Sequence, residues 1–280
     1  MNKTAIALGT FDGVHIGHLA VIKAAVNSGF KPIAVTFAKP PKAFFYEGIE
    51  CLTSQREKDQ KLRDAGIKEI YYIDFLEFKD MSAMDFLEYL KVTYNCAYIS
   101  CGFNYRFGKN GSGDIKKLSQ FCKNNDITLN ITDEVTCDGE AVSSTKIRSL
   151  LKEGAVKRAN RMLGYNFGFS SVVIHGDARG RKIGFPTANQ PYPEGIVKVR
   201  QGVYKSVICI NGKSYKAITN IGYRPTYKTQ QMGAETHIID FYDDIYGYVA
   251  DLRITHFIRD EQKFDSVDEL KEAIINDLKE

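Results

Sequence analysis

With 280 residues, 44% of them apolar and 26% charged, the chain has the composition of a globular protein of two ordinary domains. Its formal charge of +4 is small for that length, which suits anionic small substrates and calls for no nucleic-acid partner. No apolar run nears the roughly 20 residues of a membrane span, and the first residues run into a strand without a signal-peptide pattern, so no membrane or secretory role is expected.

Residues 5–8 form a short apolar strand, followed by the stretch G-T-F-D-G-V-H-I-G-H at 9–18 and a helical pattern through Leu19, Ile22 and Val26. Gly9, Gly13 and Gly17 let the backbone come close to a bulky anion, and the helix start offers free N–H groups and a positive dipole end. His15 and His18 lie three apart, on one face of the first turn, as donors to phosphate oxygens. Taken alone, the stretch has two other readings. It is also compatible with a plain glycine turn carrying solvated histidines, or with a metal pair, although no Cys/His cluster nearby completes a site.

Strand-like runs recur at 33–37, 70–73, 97–101 and 127–131, with helical patterns at 19–27, 55–64, 82–91 and 114–124 between them. Gly29 and Gly66 stand where helices should end and Ser82 where one should start. Such alternation predicts a parallel sheet covered by helices, with ligands bound beyond the C-terminal strand ends at a switch in strand order. Two further stretches reach that edge. G-F-N-Y-R-F-G-K at 102–109 mixes aromatics, an amide and two cations, which suits a nucleotide or aromatic ligand or an ordinary surface loop. S-S-T-K-I-R at 143–148 places hydroxyls and cations at the start of a helix, a second anion site or a simple cap. A second amphipathic segment follows, through Val156, Ala159, Met162 and Leu163, and ends at Gly164; the boundary between domains is placed at about residue 165.

Beyond it the period changes to alternation, with strands predicted at 170–175, 203–210, 214–221, 236–241 and 248–257. Asn211-Gly212 marks a hairpin, and one helix with Ser266 as cap closes the chain. Several strands and a single helix predict a small antiparallel barrel. Its chemistry is densest in G-D-A-R-G-R-K-I-G-F-P-T-A-N at 176–189. Glycines and cations there could wrap a polyphosphate, and Thr187 and Asn189 carry oxygens for a hard cation such as Mg²⁺. Glu235 shares a strand face with His237, Ile239 and Phe241, either as a base or as a solvated edge carboxylate. Six scattered cysteines with no C-x-x-C pair read as reduced thiols of a cytoplasmic protein.

The first three motifs, in this order, resemble the adenylyltransferase half of bacterial bifunctional riboflavin kinase/FAD synthetases. P-T-A-N, the stretches around Gly202, Asn220, Glu235 and Tyr246, and the tail F-I-R-D-E-Q-K-F resemble the flavokinase half. The resemblance covers nearly the whole chain. It implies a Rossmann-like α/β nucleotidyltransferase domain over 1–165 and a β-barrel flavokinase domain with a C-terminal helix over 166–280. It also implies an enzyme that uses ATP and Mg²⁺ to turn riboflavin into FMN and FMN into FAD. On the same ground, Gly9, Phe11, Asp12, Gly13, His15, His18, Ser144, Thr145 and Arg148 bind ATP for adenylyl transfer, with His15, His18 and Arg148 catalytic. Asn104, Arg106 and Phe107 meet the flavin. In the kinase half Gly176, Arg181, Gly184, Thr187 and Asn189 bind ATP, Thr187 and Asn189 hold the metal, and Glu235 is the base. The rivals are a protein with only one of the two activities and a flavin-binding regulator without turnover.

The residue types agree with that division. An alcohol nucleophile needs a base, whereas the phosphate of FMN is already largely anionic near neutral pH, its second pKa being about 6. Adenylyl transfer then needs donors that steady charge, and the first half supplies histidines, hydroxyls and an arginine.

Overall fold

In β1 (Thr4–Leu8) successive side chains face opposite ways, and the strand is buried throughout. Ile6 and Leu8 join Ile33, Val35 and the helix residues Phe86, Leu87, Leu90, Leu118 and Phe121 in one core. Ala5 and Ala7 join Ala34 and the helix residues Val21, Ile22, Ala25 and Leu62 in the other. A strand buried on both faces belongs to a sheet with helices on both sides.

The protein, a computed structural model, is described over residues 3–41, 48–176, 180, 183–224 and 231–279. It divides into two units, Met1–Ser144 and Thr145–Glu280.

In the first unit β1 is followed by α1 (Ile16–Val26), β2 (Lys31–Thr36), α2 (Gln55–Asp64), β3 (Glu69–Tyr72), α3 (Phe75–Phe78) and α4 (Ala83–Tyr94). Then come β4 (Cys96–Gly102), α5 (Ile115–Asn124), β5 (Thr128–Thr132) and a small hairpin of β6 (Thr136–Cys137) and β7 (Glu140–Ala141). The five-stranded sheet has order β3-β2-β1-β4-β5, and every pairing in it is parallel. The order reverses between β1 and β4, so the stretches after these two strands flank the switch point, where ligands of such sheets bind. Helix starts follow capping chemistry. Ser54 Oγ accepts from Glu57 N at 3.2 Å, Ser82 Oγ from Asp85 N at 3.1 Å and Asp114 from Lys117 N at 2.9 Å. Helix α4 ends on left-handed Asn95, φ 48°.

The second unit holds α6 (Ser144–Lys152, from Thr145 on), α7 (Val156–Leu163), β8 (Gly168–Val172), β9 (Ala188–Pro191) and β10 (Gly202–Ile210). The chain ends with β11 (Lys213–Arg224), β12 (Gln231–Ile238), β13 (Val249–Arg259) and a last helix, α8 (Val267–Lys279). The sheet order is β8-β13-β10-β11-β12-β9, antiparallel throughout, and a bridge between Ile174 and Asn189 joins its two ends into a nearly closed barrel. Inside, the hydroxyls of Ser206, Thr219 and Thr236 form a chain at 2.7 and 3.0 Å, all of them buried. Each thus has a partner where an unpaired hydroxyl would be costly. Asn160 of α7 donates to Ile254 O at 3.0 Å and accepts from Phe167 N at 2.8 Å, which pins that helix to the barrel. Asp277 of α8 takes a two-pronged bond from Arg259 at 2.9 and 2.8 Å.

Helix α3 and the β6–β7 hairpin are not among the expected elements, and two strands around Glu235 differ from expectation. Strand β9 carries no hydrophobic alternation and is made by pairing with β12. Strand β12 runs from Gln231 and ends at Ile238, because Asp240 takes a left-handed φ of 53°. Glu235 and His237 keep the shared outer face expected of them, while Phe241 lies beyond the strand and packs on Tyr215.

Candidate functional site

The turn after β1 is bent by three left-handed residues, Phe11 (φ 49°), Gly13 (φ 82°) and Val14 (φ 37°). A β-branched valine there is a strained residue, at a cost of about 1–3 kcal/mol. Phe11 and Val14 are both buried, and burial of such side chains contributes a comparable ~1.5–3 kcal/mol each, enough to hold the turn. Gly9 lies against Phe11, whose ring would stand 2.9 Å from a Cβ at that position. Thr36 Oγ1 donates to Thr10 O at 3.0 Å and ties the turn to β2.

The turn delivers His15 as the cap of α1, its Nδ1 accepting from His18 N at 3.3 Å. A backbone N–H can only donate, so the proton of neutral His15 sits on Nε2. The two imidazoles stack at 3.6 Å with 16° between planes, and Phe11 meets His18 edge-on at 5.4 Å. Burial takes the pKa of His15 down to about 4. It lowers that of His18 too, helped by the charges of His15 and Lys58. Both rings are therefore neutral at pH 7 and offer N–H groups rather than full charges. The buried Nδ1 of His18 has no hydrogen-bond partner among the described residues, the kind of orphan that a ligand site explains.

Asp12 is buried and serves as a clip: Oδ1 accepts from Leu52 N at 2.8 Å, and its carbonyl accepts from Ser144 Oγ at 2.9 Å. Ser144 is thus joined to the histidine turn. Thr145 and Arg148 lie on α6, where Arg148 donates to Thr145 Oγ1 at 3.3 Å. Lys58 is a buried residue that pattern reading missed. Its ammonium donates to Phe37 O at 2.5 Å and lies 5.1 Å from the centre of the Tyr72 ring. Burial lowers its pKa, while the charges of Asp12, Cys51 and Asp59 work against that. The available signal was its place one helical turn from buried Leu62.

In the loop after β4, Asn104 and Arg106 are exposed and Arg106 stands 3.9 Å from Asp114. Phe107 belongs to the core, stacked on Tyr105 at 5.8 Å and paired with Gly113 through both backbone bonds. The loop therefore presents an amide and a guanidinium above an aromatic floor.

In the barrel, β9 sets Asn189 directly opposite Glu235, and β11 sets Asn220 opposite Glu235 on the other side. Directly opposed residues of antiparallel strands share a face, so amide, carboxylate and amide stand in one row. Asn220 donates to Glu261 at 3.1 Å, and its buried Oδ1 has no partner among the described residues. Gly176 leaves room for the Asn189 amide, since a Cβ there would come within 2.5 Å of it. Gly184 has φ 89°, and Thr187 immediately precedes β9. Arg181, with Arg179 and Lys182, lies outside the described residues. Thr187 and Asn189 supply a hydroxyl and an amide oxygen, a donor set that fits Mg²⁺ completed by phosphate oxygens.

A parallel α/β unit with a glycine-rich turn at its switch point and a nearly closed antiparallel barrel that pairs Glu235 with Asn189 suit a two-domain nucleotide-dependent transferase. The chain belongs to the family of bifunctional riboflavin kinase/FMN adenylyltransferases: residues 1–146 match the FAD synthetase family and 163–280 the riboflavin kinase family. The bifunctional riboflavin kinase/FMN adenylyltransferase of Listeria monocytogenes is 35% identical over 96% of this chain and 88% of the relative. That of Bacillus subtilis is 32% identical over 99% of this chain and 91% of the relative. A crystal structure named as a macrolide-efflux protein of Streptococcus pneumoniae matches with a TM-score of 0.91 at 30% identity, covering 99% of this chain and 93% of its own. The fold is what is shared with it; among the described residues no helix here is long and apolar enough to cross a membrane.

Proposed function

We propose that the chain phosphorylates riboflavin with ATP to FMN in its barrel domain and joins FMN to the adenylyl group of a second ATP in its α/β domain, giving FAD and pyrophosphate. The observation that carries the reading is the register that sets Asn189 opposite Glu235, with Thr187 two residues before Asn189. A carboxylate beside amide and hydroxyl oxygens on one barrel face supports the reading, since alcohol phosphorylation requires a base and donors for a metal.

Glu235 takes the proton from the ribityl hydroxyl as that oxygen attacks the γ-phosphorus and ADP leaves. Gly176, Arg181 and Gly184 wrap the polyphosphate, and Thr187 and Asn189 would hold Mg²⁺. Bound there, the ion would neutralise charge on the transferring phosphoryl group. In the first domain a phosphate oxygen of FMN attacks the α-phosphorus of ATP and pyrophosphate leaves. His15 and His18 donate to the phosphates, and Gly9 and Gly13 let the backbone approach. Phe11 and Asp12 build the turn, and Ser144, Thr145 and Arg148 hold the triphosphate. Asn104 and Arg106 meet the flavin, and Phe107 supports their loop. We place the boundary between the two catalytic domains at about residue 165 and the protein in the cytoplasm, where its free cysteines stay reduced.

Incubation with riboflavin, ATP and Mg²⁺, followed by chromatography of the flavins, tests this. Riboflavin passing through FMN to FAD is expected. FMN that accumulates without FAD leaves a kinase alone, and no conversion even of supplied FMN leaves a flavin-binding protein without turnover.

A further inference from the structure

The β9–β12 ladder pairs Glu235 with Asn189 and Thr236 with Ala188, and there it stops. Continued by one residue, the same register sets His237 opposite Thr187. At that point a side chain takes over from the backbone. His237 Nδ1 lies 2.9 Å from Pro186 O, and the Phe185 ring meets the imidazole edge-on at 5.3 Å. A carbonyl only accepts, so Nδ1 carries the proton. Residues 183–186 are held further. Gly180 O accepts from Ile183 N at 3.2 Å and from Phe185 N at 2.9 Å, and a Cβ on Gly180 would stand 2.3 Å from Phe185 O. Pro186 fixes its own φ. The plane of the Pro186–Thr187 peptide can still tilt about Pro186 ψ and Thr187 φ, and it is the carbonyl of that peptide that His237 holds.

We propose that His237 is a positioning residue of the kinase site, one whose Nδ1–H holds the Pro186 carbonyl and thereby aims Thr187 along the row of Asn189 and Glu235. This rests on the kinase reading above. Reacting groups displaced by about 1 Å can cost on the order of 10²-fold in rate, so a single bond two residues from the base matters out of proportion to its strength.

The position of the nitrogen makes the test specific. The amide nitrogen of asparagine falls where Nδ1 stands, and that of glutamine falls nearer Nε2. His237→Ala should lower kcat for riboflavin phosphorylation by about 10–10²-fold. His237→Asn should return it to within about 3-fold of the natural enzyme and His237→Gln should not, since one hydrogen bond is worth roughly a 3–10-fold effect. FAD formation from supplied FMN should be unchanged in all three, which confines the effect to the barrel domain, and an unchanged thermal midpoint of the barrel domain controls for its folding. Nitrogen NMR of the free full-length protein should show His237 protonated at Nδ1. Equal rates for Asn and Gln variants, an Ala variant within about 2-fold of normal, or an Nδ1 that carries no proton would each overturn the role. A natural enzyme that makes no FMN would instead sink the kinase reading, and the role with it.

Discussion

A carboxylate that is to deprotonate an alcohol must stand beside the groups that hold the phosphate, and the pairing of Glu235 with Asn189, made by strand register rather than chain proximity, is the ground on which we propose that role for it. Glu235→Gln keeps size and removes the base. FMN formation should fall by ~10²-fold or more while FAD made from supplied FMN is spared, both measured by flavin chromatography. Loss of both to the same degree would contradict the assignment. In the first domain, His18→Ala should slow FAD formation by on the order of 10²–10³-fold, the usual cost of one charge-stabilising donor. His15 also makes stability depend on pH. Its folded pKa of about 4 lies below the unfolded value of 6.5, so between these pH values the unfolded chain binds a proton that the folded chain does not. Its contribution is complete above pH 6.5 and is lost as pH falls toward 4, about 3 kcal/mol in all. His18 is shifted in the same direction. His15→Asn retains a cap acceptor and removes one titration, so its denaturation midpoint should fall less between pH 7 and 4.5 than that of the natural protein. Identical pH curves would show that His15 is not held neutral. At this scale the sequence disclosed the residues that cluster in local motifs, such as His15, His18, Thr187 and Asn189. It hid Lys58, whose helix reads as a polar surface helix, and the orienting bond of His237, which depends on a partner 51 positions away.

At the scale of elements, periodicity revealed what packing made regular. The five parallel strands and their helices were legible because apolar runs and caps recur, and α2 falls on 55–64 as expected. Strand β9 was not, because Ala188-Asn189-Gln190-Pro191 has no alternation and owes its conformation to β12 and to the bridge with Ile174. Yet β9 is the element that sets Asn189 opposite Glu235, the proposed base. The opposite seam depends on Gly168. A Cβ there would stand 1.8 Å from Leu252 O, so two backbones touch where β8 pairs with β13. Backbone cannot yield as a side chain does, and Gly168→Ala should cost about 3 kcal/mol. Gly212 has open space around it, and its φ of 79° is its constraint; Gly212→Ala should cost only about 1–2 kcal/mol. Denaturation of the two variants compares close approach with conformation, and equal losses would show that the β8–β13 seam relaxes.

At the scale of the whole molecule, two chemistries with opposed needs are kept on separate units. The kinase step needs a base, and a base near a triphosphate would add a negative charge where adenylyl transfer wants donors. The first unit instead carries His15 and His18, whose burial suppresses protonation, and we propose these neutral imidazoles as its donors. If FMN leaves the barrel domain before it is adenylated, each half can be supplied by a different molecule. An equimolar mixture of His18→Ala and Glu235→Gln proteins should then convert riboflavin to FAD, although each variant alone does so more slowly, by on the order of 10²-fold or more. Its rate should show a lag while free FMN accumulates, and the lag should shorten as total protein is raised. FMN added at the start should abolish it. A mixture that stalls at FMN, while the Glu235→Gln protein readily adenylates supplied FMN, would mean that FMN made by one molecule is withheld from the next. Under that outcome the pairing of two domains in one chain would serve transfer of the intermediate. A mixture that reaches FAD would make the pairing a matter of producing both enzymes in equal amounts.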